Sequence, residues 1–266
     1  MLRKLFPFFI VATIWGLLIW AIVFVAHLKK PLEKKSLGSF ITKPVWYKTI
    51  ADIPTPEGYE RLHYARGSFP FFLQSLPLKK DKTVYLFNGH KKPNQTAQFA
   101  VINMSVGKEN LQQCADAVMR LWAEYWWGRG ELSKIQFTDN NRKKYRLQYH
   151  ATRPQFDRFL SNVFSMCGSY SLSQQLKSIS ISDMQCGDVL IRGGFPGHAV
   201  LVVDMAEHSI THKRMYMLAQ GYMPAQDMHV LNNPMRPGSP WYELNDTATT
   251  IYTPQFWFKK WELKRF

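Results

Sequence analysis

The sequence predicts an α+β domain in which one long helix packs on an antiparallel sheet, preceded by a single apolar segment long enough to span a membrane. Three observations carry that expectation. The run from Leu5 to Ala26 contains no charged residue and meets the requirement of about 20 apolar residues for a transmembrane helix. Leu111, Ala115, Val118, Leu121, Trp122 and Tyr125 recur at three- and four-residue spacing, the mark of an amphipathic helix. Ala199 to Val203 is wholly apolar, headed by His198 and bounded by turn residues, as a strand covered on both faces requires.

Composition narrows the class. The 266 residues suffice for one sizeable domain with an appendage. A hydrophobic share of 46% with 15% aromatics excludes wholesale disorder, because such a chain buries enough apolar surface to offset ordering entropy. The formal charge of +15 favours an anionic neighbour, such as lipid or acidic glycan. The basic residues are scattered in pairs without an aromatic-basic RNA motif or zinc-finger spacing, so no nucleic-acid partner is expected. The three cysteines, Cys114, Cys167 and Cys186, form no CxxC pair and no disulfide framework. The odd count leaves at least one thiol free, and a single Cys167–Cys186 bridge stays open.

The apolar run holds Trp15 and Trp20 and follows Arg3 and Lys4. Cleavage after Ala26 would place the bulky Phe24 where a small residue belongs. An uncleaved signal anchor over 1–27 is therefore expected, with membrane lipid as its partner. A basic, proline-punctuated linker over 28–52 and one α+β domain over 53–266 follow. Lys29, Lys30, Lys34 and Lys35 outweigh Arg3 and Lys4, which by the positive-inside rule favours a cytoplasmic domain. A short basic stretch before a first apolar segment is, against that, the usual export signal.

Within the domain, Tyr59 to Tyr64 reads as an edge strand and Ser68 to Leu76 as a short helix capped by Ser68. Val84 to Phe87, an Asn88-Gly89 turn and Gln98 to Met104 read as a hairpin-like unit. The strongest helix runs from Glu109 to Trp127, with Asp116–Arg120 and Arg120–Glu124 as i,i+4 pairs, the latter read as a surface ion pair, and ends at Gly128. Strands Ile135–Thr138 and Tyr145–His150 flank a turn, and helices follow at Gln155–Phe164 and Ser171–Lys177. Asp188 and Asp204 read as turn formers around the His198 strand. A strand Met215–Leu218 and a last strand near Phe256–Leu263 complete the chain.

The chemical reading pairs a helix-borne thiol with a strand-borne base. Cys114 lies early in the strongest helix, where backbone N–H groups and the macrodipole favour thiolate. His198 heads a strand, and Gln220 falls beside it if that strand pairs antiparallel with the next. A cysteine nucleophile needs such a base, and the base needs a polar group to hold its tautomer. Gln113 is a supplement to an oxyanion site. Tyr222, Gln226 and Trp241 are candidate substrate-binding residues, on loops rich in aromatic, amide and proline residues. Cys186 and Cys167 read as packing residues. His208 and His212 have helical metal-ligand spacing, but their Ser/Thr/Lys surroundings indicate a solvated hairpin. No metal or other cofactor is expected.

Several literal segments then carry a resemblance. Leu111 to Tyr125, Gly187-Asp-Val189 with Pro196-Gly-His-Ala-Val200, and Ala219 to Gln226 resemble a bacterial family, domain of unknown function 4846. So do Gly67-Ser-Phe69 with Leu76-Pro-Leu78, and Asn232-Asn-Pro234 with Pro240-Trp-Tyr242. The resemblance spans about Ile53 to Phe266. It implies an exported, envelope-associated protein anchored at its amino terminus, with the domain on the periplasmic side, and it brings no activity. The order of cysteine at a helix start, Gly-Asp turn, histidine at a strand start and polar residue on the next strand is similar to NlpC-type and CHAP-type papain-like amidases. That likeness implies a papain-like core with Cys114, His198 and Gln220 as its catalytic set. The activity it implies is thiol amidase, peptidase or transferase chemistry on envelope amides such as peptidoglycan stem peptides. The rival expectation is an inactive papain-like scaffold that binds an anionic glycan or an envelope partner.

Overall fold

Asp204 shows how far the apolar run headed by His198 extends. In the computed structural model, which describes residues 46–266, Asp204 lies inside that strand, fully buried. It accepts from Arg61 Nε at 2.8 Å, Gln74 Nε2 at 2.7 Å and the Met205 amide at 2.9 Å. Partners on every side allow a carboxylate in the core where an unpaired one would be prohibitive. The turn expected at Asp204 is therefore corrected: the strand passes through a bulge between Val202 and Asp204 and continues to His208. Asp188 does sit in a turn, accepting from the Gln185 amide at 2.7 Å. Arg265 clamps both its oxygens, at 2.6 and 2.8 Å.

In chain order the first half forms β1 (Tyr59–Arg61), α1 (Phe69–Gln74), β2 (Gln98–Val101), α2 (Cys114–Gly128), β3 (Gln136–Thr138), β4 (Lys144–Arg146), α3 (Arg153–Met166) and α4 (Ser169–Gln175). The second half adds β5 (Lys177–Ser178), β6 (Val189–Arg192), β7 (His198–His208), β8 (Arg214–Gln220) and β9 (His229–Leu231). It closes with β10 (Trp241–Glu243), β11 (Thr250–Tyr252), β12 (Trp257–Lys259) and β13 (Leu263–Arg265). The main sheet runs β2-β9-β8-β7-β6-β13-β5, with every described pairing antiparallel. The fold is α+β with a mostly antiparallel sheet. β1 pairs with β7 at Ala206–His208 and β10 pairs with β8 at Met215–Met217. Both flank the end of the β7–β8 ribbon remote from His198, which leaves the His198 end open to other elements.

Local chemistry explains several differences from the expected elements. Ser68 caps α1, its Oγ accepting from the Phe71 amide at 3.3 Å. Val84–Phe87 forms only isolated bridges, because the Tyr85 amide is taken by Asp227 Oδ2 at 3.1 Å and Leu86 closes on His90 through the Asn88-Gly89 turn. β2 consequently pairs with β9 rather than in a hairpin. The strongest helix begins at Cys114, not Glu109. Asn110 Oδ1 accepts from the Ala225 amide at 2.8 Å and from Gln113 Nε2 at 3.3 Å, holding the preceding residues in a turn.

α2 buries Ala115, Ala117, Val118, Met119 and Leu121 and packs on β7 and β8. Its outer aromatic, Trp122, stacks on Phe266 at 4.1 Å and takes Phe69 edge-on at 5.0 Å. Arg120 and Glu124 pair at 2.7 Å as read from the sequence, whereas the expected Asp116–Arg120 pair does not form, because Asp116 is buried and bonds the Gln113 amide instead. Ile50 and Ile53 are buried in the same core, so the compact unit takes in the last residues of the expected linker. The anchor over 1–27 and the rest of that linker lie outside the described residues. Among the described residues no helix is long and apolar enough to cross a membrane. All three cysteines are free thiols; Cys186 is buried, with its Sγ 3.7 Å from the Val202 carbonyl. His212 is exposed and pairs with Glu207 at 2.8 Å, and no metal-binding cluster occurs among the described residues.

Candidate functional site

Three elements meet at one end of the sheet. β7 begins at His198, β8 ends at Gln220, and α2 begins at Cys114. The antiparallel register sets Leu201 against Ala219, which brings His198 and Gln220 to the same face of neighbouring strands. His198 Nε2 lies 2.8 Å from Gln220 Oε1, so Nε2 carries the ring proton and Nδ1 is left as the basic nitrogen. Gly221 follows β8 and allows the helix start to approach. A Cβ there would sit 2.7 Å from the Gln113 carbonyl oxygen and 3.0 Å from Ala117 Cβ.

That approach places Cys114 at the first position of α2 with its sulfur among backbone donors. The N–H groups of Ala115, of Ala199 and of Cys114 itself all favour the thiolate. The Ala199 N–H follows directly on His198, so the thiol lies against the head of β7. Burial outweighs these donors, and with the nearby Asp116 it pushes the Cys114 thiol up to about 11. The expectation of a helix-activated thiolate is thereby corrected. His198 is only 2% exposed, and burial lowers it to about 4, against the Gln220 hydrogen bond that raises it. At neutral pH the site holds a neutral thiol and a neutral imidazole. No Cys114–His198 hydrogen bond forms among the described residues.

The other expected residues divide. Tyr222 is at the site: its ring lies 5.0 Å from that of His198, and Phe256 and Phe258 close the same imidazole at 5.1 and 5.9 Å. Gln113 is adjacent, as the residue preceding α2, with its amide spent on Asn110. Gln226 is 1% exposed, and neither amide atom has a partner. Trp241 lies elsewhere. It is 2% exposed, donates Nε1 to the Pro54 carbonyl at 2.8 Å and belongs to β10 at the far end of β8, so it lines no cleft beside His198. Its burial follows from pairing with Met217 on a central strand.

Sequence reasoning missed four polar groups at this end of the sheet. Gln220 Nε2 donates to Gln255 Oε1 at 2.9 Å and lies 3.2 Å from His229 Nε2. Lys92 Nζ donates to the same Gln255 oxygen at 2.7 Å. Asp116 is buried, its Oδ2 accepts from the Gln113 amide at 3.0 Å, and its Oδ1 has no partner. Burial raises its carboxyl to about 8. Asp116 at the third helical position is the one with a sequence signal, since acidic residues there commonly bond the helix start. Nothing in the spacing of Lys92, His229 or Gln255 separates them from ordinary loop and strand residues.

Phe195, in the loop before β7, is fully exposed, and Met223, in the loop after β8, is 57% exposed. No curated protein and no solved structure matches the chain. The family described as Domain of unknown function (4846) matches residues 50–151 and 139–265, in agreement with the resemblance carried by the literal segments. The chain belongs to that family.

Proposed function

We propose that Cys114, His198 and Gln220 form a papain-like thiol site that cleaves or transfers an amide in cell-envelope material, with peptidoglycan stem peptides as the substrate class. The observation that carries this reading is the His198 Nε2–Gln220 Oε1 bond at 2.8 Å, which leaves Nδ1 as the basic nitrogen of a histidine at the same end of the sheet as the helix-start thiol. In the proposed reaction Cys114 Sγ attacks the amide carbonyl carbon while His198 Nδ1 takes the thiol proton. The carbonyl oxygen gains the negative charge, which N–H groups at the start of α2 would stabilise. The tetrahedral intermediate collapses as the C–N bond breaks and His198 returns the proton to the leaving amine. Water, or an acceptor amine for a transferase, then releases the acyl group from sulfur.

The reaction starts from the neutral pair. Proton transfer from a thiol at about 11 to an imidazole at about 4 is uphill by roughly 10 kcal/mol before the attraction of the resulting ions is counted. Proton transfer therefore accompanies attack, as in serine enzymes, and substrate carbonyl in place is a condition for it. The basic balance of the chain suits an acidic peptide or glycan, and an anchored, exported domain would meet that material.

The depressed base and raised thiol also favour a second reading, an inactive papain-like scaffold that holds an anionic glycan or an envelope partner. Product analysis separates the two. Full-length protein incubated with stem peptides is expected to cleave one amide, with about 100-fold less product from Cys114→Ala or His198→Ala. Cleavage undiminished in Cys114→Ala, or absent in the wild type, overturns the thiol reading.

A further inference from the structure

Lys92 is the most unusual charge near the site. It is only 6% exposed, and no carboxylate pairs with it among the described ion pairs; Asp227, whose carbonyl meets His229 Nδ1, is taken by Lys79 at 2.8 Å. Its Nζ lies 5.3 Å from the Tyr222 ring centre and donates to Gln255 Oε1 at 2.7 Å. An enclosed ammonium without a counter-charge is costly, and it has a consequence for every proton in the network it joins.

A lysine ammonium only donates, so Gln255 must turn its oxygen toward Lys92. That same oxygen accepts from Gln220 Nε2 at 2.9 Å. The second N–H of Gln220 points at His229 Nε2, 3.2 Å away. His229 Nε2 is the accepting nitrogen because its Nδ1 lies 2.9 Å from the Asp227 carbonyl, which takes only a donor. With both N–H groups committed, Gln220 has its oxygen left for His198.

We propose that Lys92 is a positioning residue which, through Gln255, orients the Gln220 amide and thereby holds His198 in the tautomer with Nε2 protonated and Nδ1 free. The inference deepens the reading of His198 as the base and rests on it for its purpose, while the tautomer itself is a property of the resting protein. Burial lowers Lys92 to about 8, so its charge is present at pH 7, where His198 is neutral.

The test is imidazole nitrogen NMR on ring-labelled full-length protein at pH 7, with the His198 signals assigned from a His198→Gln variant. The wild type is expected to show a single His198 tautomer protonated at Nε2. Lys92→Met is expected to give a mixture of the two tautomers, and Lys92→Arg to restore the single form. Gln255→Leu breaks the same chain without touching the lysine and is expected to give the same mixture, so it decides the matter if Lys92→Met fails to fold. A wild-type His198 protonated at Nδ1, or an unchanged single tautomer in both Lys92→Met and Gln255→Leu, overturns the proposal. A fixed tautomer together with no amide cleavage would sink the hydrolase reading and leave this one standing; cleavage with a tautomer indifferent to Lys92 would do the reverse.

Discussion

Asp116 and Cys114 share the first turn of α2, and burial acts on both in the same direction. Each is held neutral near pH 7 because the low-dielectric surroundings penalise its charged form. For Asp116 the folded-state value is raised to about 8 from 3.8. The neutral carboxyl therefore contributes stability that is complete below the lower value and is lost as pH rises through the upper one. Asp116→Asn keeps an acceptor for the Gln113 amide and removes the ionisation. Urea midpoints are expected to match the wild type near pH 3.5 and to exceed it increasingly between about pH 4 and pH 8; an equal difference across that range would contradict the assignment. At this scale the sequence was informative where residue type and position combine. Cysteine at a helix start, histidine at a strand start and glutamine at a strand end were all legible. Lys92 was not, because a Lys91-Lys92 pair between turn residues reads as solvated, and only the packing of Tyr222 and Gln255 around Lys92 encloses it.

The element that sets the site is the junction of α2 with the end of β8. Its closeness depends on Gly221, where a side chain would meet the Gln113 carbonyl oxygen and Ala117 Cβ. Gly221→Ala is expected to destabilise the fold by about 1–3 kcal/mol, the usual cost of overpacking, and to displace the start of α2 from His198. Thermal unfolding measures the first effect, and loss of amide cleavage in a still-folded variant measures the second. A variant as stable and active as the wild type would show that the contact is slack. Periodicity predicted this helix and its buried face but set its start too early, since the turn ahead of it is held by tertiary bonds from Asn110 to the 222–226 loop. The β7–β8 pairing was legible because both strands are near-continuous apolar runs. The passage of β7 beyond Asp204 was not, since its buried carboxylate depends on Arg61 and Gln74 from distant parts of the chain.

Across the whole molecule, the +15 formal charge has no single internal counterpart. The described ion pairs use only part of the basic set, and several basic side chains lie over exposed aromatic rings, as Arg192 and Lys259 do over Trp257. Such a surface suits an anionic polymer, whose attraction is screened as the Debye length falls from about 10 Å at 0.1 M to about 3 Å at 1 M salt. Co-sedimentation with purified peptidoglycan is expected at low ionic strength and to fall several-fold at 0.5 M salt, with Cys114→Ala behaving as the wild type. Salt-independent retention would assign binding to apolar contacts instead. The α+β class and the antiparallel sheet followed from alternating and continuous apolar runs. The strand order did not, because β13 inserts between β6 and β5 from the far end of the chain, a pairing with no local signal.

The account stands or falls on whether Cys114 becomes covalently acylated with help from His198. The direct measurement is acid-quenched incubation of full-length protein with stem peptides, followed by peptide mapping for a thioester mass. The expected result is an acyl adduct on the Cys114 peptide alone, lost in His198→Ala. An adduct on Cys167 or Cys186, an adduct undiminished in His198→Ala, or no adduct at all would contradict it.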